Sequence, residues 1–378
     1  MGYAAARGGL SAIKSAEDLV ARLRDTDPSN RLDVDQFTGR LRLLVDRVMG
    51  EAGLWAPEFA AMALRQAEGD VIEAVHLLRA YKSTLPRFAV AEVLDADDID
   101  PERRVVPAFR EPGGPQILGR STDYTARMLK PDSRPNTRPD QQTANSDTSG
   151  TATSTDVVTP VPTPEMRRMS NVLRDMGLLI DRRMATDPEP FDITRMPAKP
   201  PAPRSARLST MARAETGALV NQWYRNILGP DGYLHEVTLG EVRHGSLPIT
   251  TTHPATGNKV TIGRFRVTEV EAIEDLDGVE EDRGSFDVGY GMCLGHNERK
   301  AIAMANLDIA CHRDGSKSSL EQSILMTTDG LDSAGFLEHL KLPHYVTFRS
   351  MVERKVAVRR ARTAKAADET ADEMEVLQ

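Results

Sequence analysis

A long stretch of small and polar residues, positions 131–164, most constrains how this chain can fold. It reads PDSRPNTRPDQQTANSDTSGTATSTDVVTPVPTP and is nearly free of large apolar side chains. Such a segment cannot bury enough apolar surface to offset the entropy lost on ordering. We therefore predict a disordered linker that separates an N-terminal part, residues 1–130, from a second part that begins at residue 165.

The N-terminal part predicts a helical domain with an extended arm. Apolar residues recur at helical spacing from Phe37 to Val48. Pro57 is a helix-start signal, and Asp70, followed three residues later by Glu73, resembles a capping box. Beyond Asp95 the apolar pattern becomes irregular. We interpret that region as a flexible arm that lies on another surface.

The second part, residues 165–350, predicts a mixed domain. One helix is expected over MRRMSNVLRDMGLLI and another near 207–225. Strands follow at EVTLGEVR and SLPITT, separated by a turn, and then a hairpin whose turn is Thr256–Gly257–Asn258. The strand SFDVGYGMCLG leads into a helix from about Asn297 to Cys311. This order predicts an α+β fold: an N-terminal helical bundle, then a mixed domain with an antiparallel sheet and flanking helices. Residues 351–378 predict a charged helical tail.

Composition excludes several classes of protein. The net charge of −8 and the pI near 5.6 argue against a generally basic nucleic-acid-binding protein. Two cysteines, Cys293 and Cys311, are too few for a disulfide framework or an all-cysteine metal site. The sequence contains no signal-peptide pattern and no membrane-spanning apolar run. We expect a cytoplasmic protein without a membrane or nucleic-acid partner.

The segment GYGMCLGHNERKA is a candidate phosphate site. A predicted strand carries Gly289, Gly291 and Gly295 and runs into a helix whose first turn carries Arg299 and Lys300. Backbone N–H groups at a helix start, with nearby cations, favour an anionic phosphate. The alternative is that the glycines relieve crowding and that both cations are solvated. The spacing matches neither a Walker loop nor a dinucleotide fingerprint.

The segment GFLEHLKLPHYVTF is a candidate metal site. His339 and His344 flank Pro343, which ends the helix that carries His339. The two imidazoles can then converge on one point, although a zinc site needs three or four ligands. The alternative is that His339 interacts with the helix dipole and His344 lies in a surface turn.

Two further sets favour structural roles. Asp46, Arg47, Arg79 and Tyr81 are interpreted as an ion-pair cluster between helices. Cys293 is interpreted as a buried thiol rather than a nucleophile. We find no Ser-His-Asp order and no HExxH motif.

Several long strings together resemble the I subunit of the carbon–phosphorus lyase core complex. They are RLRLLVDRVMGEAG, MALRQAEGDVIEAVHLLRAYKSTL, GGPQILGRSTDYTARML, PAPRSARL, GYGMCLGHNERKAIAMA and FLEHLKLPHYVTF. They cover most of residues 1–130 and 200–350. The resemblance implies a cytoplasmic protein of bacterial phosphonate degradation.

The resemblance also implies an activity, with its substrates and partners. In that family the I subunit, with the G, H and L subunits, promotes displacement of adenine from ATP by a phosphonate, giving a ribose 1-phosphonate 5-triphosphate. We expect the ATP to carry Mg. Alone, the subunit resembles a purine nucleosidase acting on nucleoside triphosphates. The G, H, J, K and L subunits are the expected partners. The family has paired histidines that match His339 and His344. They imply zinc at the interface with the radical-chemistry J subunit. The alternative is a non-catalytic scaffold that docks the J subunit.

The expected reaction suggests roles for the candidate residues. Cleavage of the ribose–adenine bond develops oxocarbenium character, which a carboxylate stabilises. Asp46, Asp123 and Glu298 are the candidate carboxylates. The expected contacts to the triphosphate come from Gly289, Gly291, Gly295, Asn297, Arg299 and Lys300.

Overall fold

The computed structural model describes residues 9–26, 32–108, 113–129, 166–180, 186, 188–228, 237–275, 284–314, 318–341 and 345–376. The predicted linker, 131–164, lies outside them. The chain divides into two compact units, one of Met1–Asp33 with Leu331–Gln378 and one of Val34–Gly330. Of the described helices, none is long and apolar enough to cross a membrane.

The unit Val34–Gly330 begins with short helices. They are α2 (Val34–Arg40), α3 (Arg42–Ala52), α4 (Pro57–Gln66) and α5 (Val71–Ser83), after α1 (Gly9–Thr26) of the other unit. Two local predictions are confirmed: Pro57 starts α4, and the Asp70 carboxylate accepts the Glu73 N–H at the start of α5. The apolar stripe from Phe37 extends over two helices rather than one.

One antiparallel sheet organises the rest of this unit. Its strands are β1 (Asp100–Val105), β2 (Val237–Thr252), β3 (Lys259–Asp275) and β4 (Phe286–Leu294), hydrogen-bonded in that order. Helices α6 (Met169–Asp175), α7 (Arg204–Arg213) and α8 (Thr216–Leu228) precede β2, and α9 (Glu298–Asp314) and α10 (Ser319–Thr327) follow β4. The main core lies where α7–α10 pack with β2–β4. The α+β prediction is confirmed.

The other unit contains two more helices. Helix α11 (Gly330–Lys341) begins at the boundary between the units, and α12 (Tyr345–Val376) contains most of the charged tail. The prediction of a charged helix beyond Met351 is therefore confirmed. Helix α12 begins six residues before Met351.

The predicted flexible arm contains a strand of the sheet. Strand β1 pairs with β2, with Arg104 opposite Arg243. The arm prediction was wrong here because Arg104 reads as a surface residue, whereas its guanidinium is buried and paired with Glu241.

The predicted turn between EVTLGEVR and SLPITT is absent, because β2 continues through both segments. Gly245 has a different role. A Cβ at this position would lie 2.1 Å from the carbonyl oxygen of Asp100, so glycine lets β1 approach. The hairpin turn at Gly257 is confirmed, with φ of +70°.

Two predicted helices are shorter than expected. Helix α6 ends at Asp175, and Gly177 follows with a positive φ. The helix expected near 207–225 is divided into α7 and α8, because the Glu215 carboxylate accepts the N–H groups of Gly217 and Ala218 and caps a new helix.

Candidate functional site

The turn between β4 and α9 is fixed on two sides. Gly295 has φ of +75°, and a Cβ there would lie 2.7 Å from the Cβ of Asp46. Its N–H donates to the Arg266 carbonyl over 2.8 Å, and its carbonyl accepts from the Thr268 hydroxyl over 2.7 Å. The Asp46 carboxylate accepts the His296 N–H over 3.0 Å. Helix α3 and strand β3 therefore position His296.

The other predicted glycines allow the sheet and α9 to pack closely. A Cβ at Gly289 would lie 1.9 Å from the Ala305 carbonyl oxygen, and one at Gly291 would lie 2.2 Å from that of Ala301. Asn297 caps α9, since its Oδ1 accepts the Lys300 N–H over 3.2 Å. These contacts favour the alternative interpretation, in which the glycines relieve crowding.

The two predicted cations lie in different environments. Arg299 is exposed, whereas Lys300 is 1% exposed and its Nζ has no hydrogen-bond partner among the described residues. Burial lowers the pKa of Lys300. Burial also raises the pKa of the nearby Cys293 thiol to about 11, which supports the buried-thiol interpretation. Arg299 therefore lies at the surface and Lys300 in the interior.

The candidate carboxylates are all bound by arginines. Arg103 donates from Nε to Glu298 over 2.5 Å and from Nη2 to Asp123 over 2.7 Å. Arg266 donates to Asp46 over 2.8 Å. Burial alone would raise the pKa of Glu298, but the hydrogen bond from Arg103 and the nearby His296 ring, 3.8 Å away, outweigh it and lower that pKa. Glu298 is therefore ionised at neutral pH.

These arginines line a pocket that sequence reasoning missed. The pocket holds about 150 Å³ and is lined by Arg42, Glu102, Arg103, Arg120, His244, Arg266 and His296. These residues come from α3, β1, β2, β3, the turn before α9 and the segment after β1, so no short motif contains them. His244 fell in the turn predicted between EVTLGEVR and SLPITT, so the sequence pattern did not mark it as a pocket residue.

The positive charge of the pocket is only partly neutralised. Arg103 and Arg266 pair with carboxylates, but in the described part of the chain no carboxylate pairs with Arg42 or Arg120. Arg42 instead donates to His296 Nδ1 over 3.1 Å and to the Arg120 carbonyl over 3.2 Å. Burial and the charge of Arg120 lower the pKa of Arg42. An anion would relieve this repulsion.

Two stacked imidazoles form one wall of the pocket. The rings of His244 and His296 have centroids 4.1 Å apart. His244 Nδ1 lies 2.9 Å from the Val267 carbonyl oxygen, which can only accept, so Nδ1 carries the proton. Burial and the adjacent His296 lower the pKa of His244 to about 3, and the ring is neutral. Its Nε2 is then a hydrogen-bond acceptor.

The predicted metal site lies in the other unit. His339 is exposed on the last turn of α11, as predicted, and His344 lies outside the described residues. Across the described ranges, no group of three or more His, Cys, Asp or Glu side chains could hold a metal ion. An exposed imidazole at a helix end suits a zinc site that takes further ligands from another chain.

The set Asp46, Arg47, Arg79 and Tyr81 does not form one cluster. Arg47 pairs with Glu51 and Glu215, whereas Arg79 pairs with Asp329. The ion pairs are structural, as interpreted from the sequence, but their partners lie outside the set. Tyr81 stacks on the ring of Phe59.

Comparisons with known proteins agree with the resemblance. The profile of the family described as "Bacterial phosphonate metabolism protein (PhnI)" matches residues 2–364. The chain is 40% identical to the putative C-P lyase subunit protein HtxH of Stutzerimonas stutzeri, over 98% of this chain and 100% of that protein. It is 35% identical to the alpha-D-ribose 1-methylphosphonate 5-triphosphate synthase subunit PhnI of Rhizobium meliloti (strain 1021), over 96% of each chain. Identity to the subunit of that name from Escherichia coli (strain K12) is 36%, over 93% of this chain and 96% of that one. This chain therefore belongs to the PhnI family of bacterial phosphonate metabolism proteins.

Proposed function

We propose that this chain is a subunit of an assembly that displaces adenine from Mg-bound ATP with an alkylphosphonate, giving ribose 1-phosphonate 5-triphosphate. Two relatives that match over almost their whole length are named as subunits of a ribose 1-methylphosphonate 5-triphosphate synthase. A third is named as a C-P lyase subunit. In this proposal the chain acts as an N-glycosyl transferase with its partners and as a nucleosidase alone.

The observation that carries the proposal is the pocket with two arginines, Arg42 and Arg120, that form no ion pair with a carboxylate among the described residues. Both substrates of the reaction are anions, and Arg42 and Arg120 offer them positive charge, while ionised Glu298 binds Arg103 of the same pocket. In the reaction a phosphonate oxygen forms a bond to C1′ of the ribose. The bond from C1′ to the adenine nitrogen breaks, its electron pair goes to adenine, and adenine leaves after taking a proton.

The geometry ranks the three candidate carboxylates. Asp46 is 0% exposed, and it already binds Arg266 and the His296 N–H. Asp123 and Glu298 share Arg103, which lines the pocket, and both are more exposed than Asp46. Glu298 and Asp123 are therefore the better candidates to stabilise positive charge at the ribose.

The proposal includes a zinc ion held by His339 and His344. Imidazole nitrogen suits zinc, and two histidines leave coordination positions for ligands of another chain. The G, H, J, K and L subunits are the proposed partners, with the J subunit at the zinc site. These histidines would hold the ion, which supplies Lewis-acid chemistry or a structural link when bound.

The test measures free adenine released from ATP by the complete assembly with methylphosphonate. We expect Arg42→Ala and Arg120→Ala to lower kcat/KM by about tenfold or more each, the usual scale for a charge-assisted contact. The matched control is Arg65→Ala, because Arg65 is an exposed arginine on α4. If the assembly releases no adenine, the scaffold alternative replaces this proposal. If it releases adenine but both pocket variants behave like the control, the function stands and the site is wrong.

A further inference from the structure

His244 places an unpaired acceptor in a pocket that is also lined by four arginines, His296 and the Glu102 carboxylate. The residue is 2% exposed, and its Nε2 has no hydrogen-bond partner among the described residues. The nearby Glu102 carboxylate oxygen is 3.9 Å away, beyond hydrogen-bond distance. Buried polar atoms are nearly always paired, so an orphaned acceptor that lines a pocket indicates a ligand that donates to it.

The surrounding strands fix which nitrogen is the acceptor. His244 lies opposite Thr268 in the β2–β3 pairing. The Thr268 hydroxyl donates to the Gly295 carbonyl, so its oxygen can only accept from His244 Nδ1, 3.2 Å away. The Val267 carbonyl accepts there as well. Both neighbours of Nδ1 are acceptors, so the proton is on Nδ1 and Nε2 carries the lone pair, 3.9 Å from the carboxylate of Glu102, another residue of the pocket lining.

The size of the pocket limits what it holds. The space inside it is about 150 Å³. Sites for complete ligands of drug size occupy about 300–1,000 Å³. The space inside the pocket therefore suits one tetrahedral oxyanion group of a ligand.

We propose that His244 makes this pocket selective for tetrahedral oxyanions that retain a hydroxyl group, such as hydrogen phosphate or a singly protonated phosphonate, over sulfate and sulfonates. The arginines only donate, so they bind the ionised oxygens. The P–OH group needs an acceptor, which Nε2 supplies. Sulfate and sulfonates have no such proton, so one of their oxygens would face the lone pair and leave it unpaired.

The selectivity deepens the proposed function, because it names the protonation state in which the phosphonate enters the site. It can nevertheless be measured without the reaction. A neutral His244 is required, and its lowered pKa agrees with that requirement. An imidazolium at this position would donate to both classes of oxyanion and remove the discrimination.

The experiment compares ligands that differ by one proton. Titration calorimetry of the full-length chain would compare its affinities for methylphosphonate and methanesulfonate. The pH is kept below the second ionisation of the phosphonate, so that each ligand carries one negative charge. Inorganic phosphate against sulfate is the second pair, measured above the second ionisation of phosphate, where each ligand carries two negative charges. We expect the protonated member to bind about tenfold or more tightly, because the other leaves a buried acceptor unpaired. Equal affinity, tighter binding of the sulfur ligands, or no binding of either would overturn the inference.

Two substitutions at one position isolate the acceptor. His244→Gln keeps an acceptor near the position of Nε2, whereas His244→Asn keeps a donor towards the Val267 carbonyl and loses that acceptor. We expect His244→Gln to retain the preference for methylphosphonate and His244→Asn to reduce the affinity ratio to about one. An unchanged ratio in a folded His244→Asn chain would overturn the inference. If that variant does not fold, the ratio of the two affinities in the unaltered chain still tests the inference.

A third variant locates the ligands, and adenine release separates the two proposals. Arg42→Ala should weaken both ligands by a similar factor, since its guanidinium does not distinguish them; unaltered binding would place the ligands elsewhere and overturn the inference. If the chain binds the two ligand classes selectively but the assembly releases no adenine, the role of His244 is supported and the proposed function is wrong. If the assembly releases adenine but the chain shows no selectivity, the proposed function is supported and the role of His244 is wrong.

Discussion

Replacing Glu241 with alanine would test how the pocket strand β1 is held in the sheet. Arg104 on β1 is 0% exposed, and its Nε donates to Glu241 Oε1 over 2.8 Å. Its other nitrogens donate to the carbonyls of Gly113, Pro115 and Arg167. Glu241→Ala leaves the guanidinium buried with backbone acceptors but no counter-charge.

The magnitude follows from that burial. Removing one partner of a buried ion pair costs about 3–5 kcal/mol, because the remaining charge is uncompensated. Glu241 also accepts the Met169 N–H at the start of α6 over 3.1 Å, so the substitution removes that bond as well. At about 2–4 °C per kcal/mol for a unit of this size, we expect the unfolding midpoint to fall by about 6–20 °C.

The assay is thermal unfolding of the full-length chain by circular dichroism, with two comparison variants. Glu241→Gln keeps the shape of the side chain and one acceptor oxygen and should lie between wild type and Glu241→Ala. Glu353→Ala removes the same residue type from an exposed pair with Arg349 on α12 and should produce no resolvable change. If Glu241→Ala unfolds within about 2 °C of wild type, less than a 1 kcal/mol loss would cause, the reasoning about the buried pair is refuted.

Three further predictions concern the packing of α9, the buried thiol and the metal site. Gly291→Ala should destabilise the chain by at least about 1–3 kcal/mol, because the new methyl group meets the Ala301 carbonyl; an unfolding midpoint equal to wild type would contradict this. Cys293 should resist iodoacetamide in the native chain at pH 8 and react after unfolding, because burial raises its pKa to about 11; rapid native labelling at this residue would count against the assignment. The combined change His339→Ala with His344→Ala should remove zinc from the assembly with its partners, as measured by metal analysis; retained zinc would place the site elsewhere.

Local sequence signals predicted the parts of the fold that local interactions determine. The Asp70 cap and the start of α4 at Pro57 depend on residues within one helical turn. The hairpin turn at Gly257 depends on one residue with positive φ. The α+β class follows from the order of such elements, which is why it was predicted correctly.

Strand β1 could not be predicted in this way. Its partner strand β2 is more than 130 residues away in sequence, and neither strand shows a clean alternation of polar and apolar residues. Arg103 and Arg104 read as surface positions, yet both are buried because Glu298 and Glu241 neutralise them. The sequence shows that a residue is charged, but whether it is buried also depends on an oppositely charged partner. That partner comes into contact with it only in the folded chain.

The role of the Gly-rich turn shows the same dependence on packing. Arg299 and Lys300 looked like a pair of phosphate-binding cations, but successive residues on a helix point about 100° apart, as 3.6 residues per turn requires. Because α9 packs on the sheet, that rotation buries Lys300 and exposes Arg299. The turn contributes through His296 instead, which Asp46 fixes against the ring of His244. The motif therefore contributes to the pocket in a different way from the one predicted: its glycines bring α9 and α3 close enough for a pocket to form between distant arginines.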